Sequence, residues 1–189
     1  MPNATSTRKL PSQIQISLRE QQLTLLPQRA IWWEEKRFLL LADLHLGKAG
    51  HFRKNGSPIP AAVHWKDLVV LGTLIETYQP EKVVLLGDLF HSDLNNEWLD
   101  FAQWMQQYQP LPFVLTKGNH DVLPDAAYDL PQLEVIPEQW HIDPFLLSHK
   151  PIIEPKNQRG GWTFPSALTE ITNFYNLAGH IHPGATVRL

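Results

Sequence analysis

Five times along this chain a short apolar run ends in a cluster of aspartate, asparagine or histidine. Leu39-Leu40-Leu41 leads into Asp43-Leu44-His45, Lys82 to Leu86 into Gly87-Asp88, and Phe113 to Thr116 into Gly118-Asn119-His120-Asp121. Phe145 to Ser148 leads into His149, and Asn176 to Ala178 into Gly179-His180-Ile181-His182. Continuous apolar runs of this length are expected of strands buried on both faces. Between them lie two helical patterns. Ala61 to Tyr78 carries Val63, Leu68, Leu71, Leu74 and Ile75 on one side, and a helix capped by Asn95 or Asn96 runs to about Tyr108 with Trp98, Phe101, Met105 and Tyr108 on one face. This alternation predicts an α/β layered fold. Open α/β sheets bind ligands beyond the carboxyl ends of their strands, where all five clusters fall.

Upstream, Ile14 to Leu18 and Gln22 to Leu26 read as a hairpin, followed by strands at Ala30 to Trp33 and Phe38 to Ala42. Residues Lys48 to Pro60, rich in Gly and Pro, read as a loop, and Thr163 to Thr172 as a helix. A length of 189 residues suits one domain over 1–189, with residues 1–13 as a flexible end. The net charge of -3 gives no bulk argument for nucleic-acid binding, which leaves that role to a local basic patch. Cysteine is absent, so a metal would be held by His, Asp, Asn or Glu and not by thiolate. The polar start lacks a signal-peptide core and no run reaches membrane-spanning length, so the expected setting is cytoplasmic, away from the membrane.

The clusters supply carboxylates, imidazoles and an amide. A carboxylate is the ligand best able to bridge two adjacent cations, and a mixed oxygen and nitrogen set suits manganese, iron or zinc. Two such ions acidify a shared water and clamp the attacking and leaving oxygens of a phosphoryl group. Taken singly, Asp43 would be a turn residue or helix cap and His149 a satisfied core histidine. Those readings do not account for five of nine histidines standing at strand ends inside these clusters.

In this order, Asp-x-His, Gly-Asp, Gly-Asn-His-Asp, His and Gly-His-x-His, the motifs resemble those of the calcineurin-like metallophosphoesterases. The resemblance spans Asp43 to His182 and implies a two-sheet β-sandwich flanked by helices, with a dinuclear site at its rim. It would place Asp43, His45, Asp88 and His182 on one metal, and Asp88, Asn119, His149 and His180 on the other, Asp88 bridging. His120 would contact the phosphate and protonate the leaving oxygen, with Asp121 orienting its ring. Leu41-Ala42-Asp43-Leu44-His45-Leu46-Gly47-Lys48, with Phe52-Arg53, Gly56-Ser57-Pro58-Ile59-Pro60 and Gly87-Asp88-Leu89-Phe90-His91-Ser92, is similar to the ligase-associated DNA damage-response endonucleases. That similarity implies a manganese-dependent phosphodiesterase acting on DNA in repair, with a DNA ligase and a helicase as partners. Family members usually continue past the last motif with strands that finish the second sheet, so the stop at Leu189 leaves that edge short.

Other residues carry weaker signals. Lys48, His51, Arg53 and Lys54 form a basic group that reads either as a backbone-phosphate contact or as a solvated loop. Phe52 would stack on a base or anchor that loop, and His91 would support Asp88, touch substrate or serve as a plain turn residue. Lys150, Lys156 and Arg159 read as a charge-dotted loop able to steer a polyanion. The expected activity is a phosphodiesterase, a DNA endonuclease, with hydroxide activated on the ions attacking phosphorus and His120 as the acid. The same motifs serve small substrates such as nucleotides or phosphomonoesters. A non-catalytic scaffold would be expected to have lost ligands that this chain keeps.

Overall fold

Side chains alternate between two cores along the central strands, and that alternation sets the layers. The computed structural model describes residues 13–47, 63–91, 94–152 and 175–179. The first sheet holds seven strands in chain order: β1 (Ile14–Leu18), β2 (Gln21–Leu26), β3 (Ala30–Trp33), β4 (Phe38–Leu41), β5 (Lys82–Leu85), β6 (Phe113–Thr116) and β7 (Leu133–Ile136). β1 to β4 form an antiparallel meander, and β4 to β7 run parallel. The second sheet has the order β10 (Tyr175–Ala178), β9 (Phe145–Ser148), β8 (Gln139–Ile142).

Leu39, Leu41, Val83, Leu85, Phe113 and Leu115 face two helices, α1 (Val63–Tyr78) and α2 (Asn96–Gln106), in one core. Leu40, Val84, Leu23 and Trp33 face the other way and pack on Phe145 and Leu147 of the second sheet. β4, β5 and β6 are thus buried on both faces, as their apolar runs require. The helices cover the outer face with Leu68, Leu71 and Ile75 from α1 and Trp98, Phe101 and Met105 from α2, the spacing of a single helical stripe. Asn95 caps α2: its backbone is extended and its side-chain oxygen accepts from the Glu97 N–H at 2.8 Å. The helix ends at Gln106, two residues short of the expected Tyr108, which packs on Trp104 from beyond the end.

Trp33 carries much of the contact between the sheets. It is fully buried, its ring lies edge-on to Phe145 with centroids 4.8 Å apart, and its indole N–H donates to Gln21 at 2.9 Å. Trp33→Ala should cost about 3–5 kcal/mol by emptying this layer. Chemical denaturation would show it, and a loss under 1 kcal/mol () would mean that the sheets do not lean on this ring.

The layered fold and the two-sheet sandwich expected from sequence are both present. Every expected strand in the described residues is there, to within one residue at either end. Three elements went unread. β7 and β8 are four residues each, flank Pro137, and bury few side chains; the 3₁₀ turn Asp125–Tyr128 has no period to detect. The expected helix at 163–172, the loop at 48–60 and most of the flexible end lie outside the described residues. Among the described residues no helix is long and apolar enough to cross a membrane.

Candidate metal centre

Parallel pairing brings the motifs to one rim. Leu41 is in register with Leu85, and Leu85 with Leu115, so the segments leaving β4, β5 and β6 emerge side by side. In the second sheet Ser148 is in register with Ala178, which sets His149 and Gly179 abreast. Beyond β4 and β5 the two exits stay zipped together. Asp43 N–H donates to the Gly87 carbonyl at 3.1 Å, His45 N–H to Asp88 at 2.9 Å, and Leu46 N–H to Leu89 at 2.8 Å.

These exits are strained. Asp43, His45 and Asp88 hold φ values of 56°, 47° and 52°, in the left-handed region. Each such non-glycine residue costs on the order of 1 kcal/mol. The strain turns the three side chains toward one point. One ligand atom from each of Asp43, His45 and Asp88 lies within 4.8 Å of the others.

A second convergence shares Asp88. His149 is buried, and its Nδ1 lies 3.0 Å from the Leu86 carbonyl. In the tautomer with the proton on Nδ1, that carbonyl is satisfied and the Nε2 lone pair faces inward. Nε2 lies 3.4 Å from Asp88 Oδ1 and 3.2 Å from Asn119 Oδ1. The other oxygen, Asp88 Oδ2, is 4.0 Å from His45 Nε2 and 3.9 Å from His120 Nε2. One buried carboxylate thus turns an oxygen toward each of two donor sets. In that tautomer His149 Nε2, Asn119 Oδ1 and Asp88 Oδ1 are acceptors facing one another, with Asp43 close by, so the donor set fits divalent metal.

Two glycines make room for this. A Cβ on Gly118 would stand 2.3 Å from Asp88 Oδ1, and one on Gly87 would stand 2.4 Å from His149 ring atoms. Gly87 also has φ +77°. Gly87→Ala should therefore lose about 2–4 kcal/mol through backbone cost and overpacking. A denaturation midpoint equal to the parent's would show that His149 does not press on this turn.

His120 projects from the tetrad after β6. Its N–H donates to Asp88 Oδ1 at 3.0 Å, which ties the loop to the central carboxylate. Its ring is partly exposed and stacks on His91, with centroids 3.8 Å apart and planes 18° from parallel. His91 in turn places Nδ1 3.4 Å from His45 Nδ1. The resemblance implied that Asp121 would orient the His120 ring; the hydrogen bonds its carboxylate makes here go to the main chain. Its two oxygens accept from Phe90 N–H at 3.0 Å and Gly118 N–H at 2.8 Å, clipping the β5 and β6 exits together. Burial raises the pKa of Asp121, as does the charge of Asp88, while the N–H bonds pull it down.

Asp43, His45, Asp88, Asn119, His120, Asp121, His149 and His91 thus come to one rim. His180, His182, Lys48 and Arg53 lie outside the described residues. Gly179, next to His180 in the chain, sits where a Cβ would be 3.4 Å from Asp43 Oδ2. The positioning work of Gly118 and of the Asp121 clip was not legible, because each acts through partners distant in sequence.

The model of the calcineurin-like phosphoesterase domain matches residues 36–184. The chain belongs to that family. As a calcineurin-like phosphoesterase it is a hydrolase of phosphate esters, and the Asp43, His45, Asp88 group is a candidate site for the divalent metal such enzymes use. It is also similar to the crystal structure of Pseudomonas putida nuclease MPE, with 28% sequence identity and a TM-score of 0.69, over 91% of this chain and 74% of the nuclease. No curated protein matches the chain at a significant level.

Proposed function

We propose that this phosphoesterase is a dinuclear, manganese-dependent phosphodiesterase that cuts DNA as an endonuclease of repair in the cytoplasm. The observation that carries the two-metal reading is Asp88, with Oδ2 toward His45 and Oδ1 toward His149. In this reading Asp43, His45 and Asp88 would hold one ion with His182, and Asp88, Asn119 and His149 would hold the other with His180. When bound, such a pair acidifies a water and neutralises charge on phosphoryl oxygens.

The chain's own residues do the rest. Asp88 keeps the His120 main chain in place through its N–H bond, and the His91 ring holds the His120 ring flat against it. His120 is open enough to reach a bound phosphodiester and gives its proton to the leaving oxygen. Asp121 acts as a positioning residue through Phe90 and Gly118. Lys48 and Arg53 follow the first motif and contact the backbone phosphates of DNA.

The likeness to a nuclease and the signature around Asp43 support DNA as substrate. A DNA ligase and a helicase are the partners that signature suggests. Plasmid nicking with added manganese, run beside a chelator control and a panel of nucleotides, tests the reading. Nicking that needs the metal and outpaces nucleotide hydrolysis is expected. Faster turnover of nucleotides than of DNA would move the assignment to small phosphate esters.

A further inference from the structure

Beside the metal centre lies a cleft of about 400 Å³, which borrows Asn119 and His149 from that centre and extends past them. We propose that it holds the nucleotide next to the scissile phosphate, with Lys150 gripping that nucleotide's phosphate. This inference rests on the phosphodiesterase reading and names the part of the substrate the metal centre leaves unheld.

Three features carry it. The first is position. Asn119 and His149 line the cleft as well as the metal face, so whatever fills it touches the reacting group's surroundings. The second is charge. Lys117 and Lys150 both line it. Lys117 is engaged, with Nζ 2.9 Å from Asp125 and 4.7 Å from the Tyr128 ring centroid. Lys150 is exposed and makes no ion pair among the described residues, although Glu138 also borders the space. It therefore brings a cation that an anionic ligand could pair.

The third is shape. One part of its lining is the corner where the chain leaves the first sheet after β7 and enters the second at β8, around Pro137. Pro151 and Ile152 add further apolar surface, and Gln139 offers an amide. A pocket of this size, with Pro137, Pro151 and Ile152 for apolar contact and Lys150 for charge, suits a sugar and base with their phosphate. A lone inorganic phosphate would leave most of it empty.

Anchoring is provided by the main chain. Ser148 Oγ donates to the Lys150 carbonyl at 2.8 Å and accepts from the Asn176 amide at 2.9 Å. Asn176 also donates to the Leu146 carbonyl at 2.8 Å, and its Oδ1 accepts from the Ile152 N–H at 2.9 Å, which fixes the segment two residues further on. Lys150 is therefore presented from a pinned backbone, which reduces the entropy lost when it grips a phosphate.

The test is Lys150→Glu beside a control of equal charge change, Lys36→Glu, on the exposed β3–β4 turn at the far end of β4. Two substrates are compared: a single-stranded oligonucleotide and bis(p-nitrophenyl) phosphate, which has no flanking phosphate. Metal content and melting temperature certify the fold of each variant. For Lys150→Glu, kcat/KM on the oligonucleotide should fall about tenfold further than on the small diester, the size expected for one lost charged contact. The slope of its logarithm against log salt should flatten by about 0.7. Lys36→Glu should show neither change.

Equal losses on both substrates, or a Lys36→Glu variant as selective as Lys150→Glu, would overturn the cleft and leave the phosphodiesterase reading standing. Parent enzyme that hydrolyses the small diester and ignores DNA would overturn both the DNA reading and the cleft. If the parent turned over neither, the phosphodiesterase reading would fail, and anisotropy of a labelled oligonucleotide would still judge the cleft. Equal binding by parent and Lys150→Glu would then sink it.

Discussion

Asp88→Asn should leave the protein folded and remove its response to manganese. The substitution keeps size and shape, and the amide oxygen can still accept the His120 N–H that Oδ1 accepts at 3.0 Å. What is lost is a charge at the one group that faces both donor sets. Asp88 is buried beside Asp43 and raises the pKa of Asp121 by its charge. Removing a buried carboxylate from among other carboxylates relieves repulsion, so the metal-free variant should melt no lower than the metal-free parent. Adding manganese should separate them. A ligand at 100 times its Kd stabilises the folded state by about 2.7 kcal/mol, and the parent should gain on that scale while Asp88→Asn gains little. Loss of an outer partner of a metal site typically costs about 10–100-fold in affinity, and loss of the shared ligand should exceed that. Turnover should fall by about 10³-fold or more, the scale of removing a principal electrostatic group. A variant with normal manganese-dependent melting and activity would remove Asp88 from the centre.

His120→Ala should produce the opposite pattern, with metal retained and turnover lost. The His120 ring is no part of either donor convergence, and its main-chain bond to Asp88 survives the change. Metal content and metal-dependent melting should match the parent. General acids contribute about 10²–10⁴-fold, and that loss should appear in full on DNA, whose alkoxide leaving group needs the proton. On bis(p-nitrophenyl) phosphate, whose leaving group departs as a stable phenolate, the loss should be much smaller. Equal losses on the two substrates would mean that His120 binds phosphate without moving a proton. Weakened manganese binding would mean that its ring belongs to the ligand set.

The contrast between these variants reflects what the sequence could and could not say. Leu39 to Leu41, Val83 to Leu85 and Phe113 to Leu115 were legible as buried strands because burial on both faces leaves no polar position to confuse the pattern. The motifs were legible because each stands where such a strand stops. The convergence of Asp88 on His149 is a different kind of fact. It depends on the second sheet folding across the first through Trp33 and Phe145, a contact between residues 112 positions apart in number (145 minus 33). The clip made by Asp121 was not legible for a related reason. The His beside it in the tetrad is its neighbour in sequence, but Phe90, from the preceding strand's exit, is its neighbour in space. β7 and β8 were invisible because strands of four residues with mixed burial fall below the length at which a period of two can be read.

The central claim is that one carboxylate holds two cations. Crystals grown with manganese and measured for its anomalous scattering address that claim without relying on activity. Two peaks about 3.5–4 Å apart, one on each side of Asp88, are the expected result. A single peak, or peaks that leave Asp88 without a metal neighbour, would contradict it.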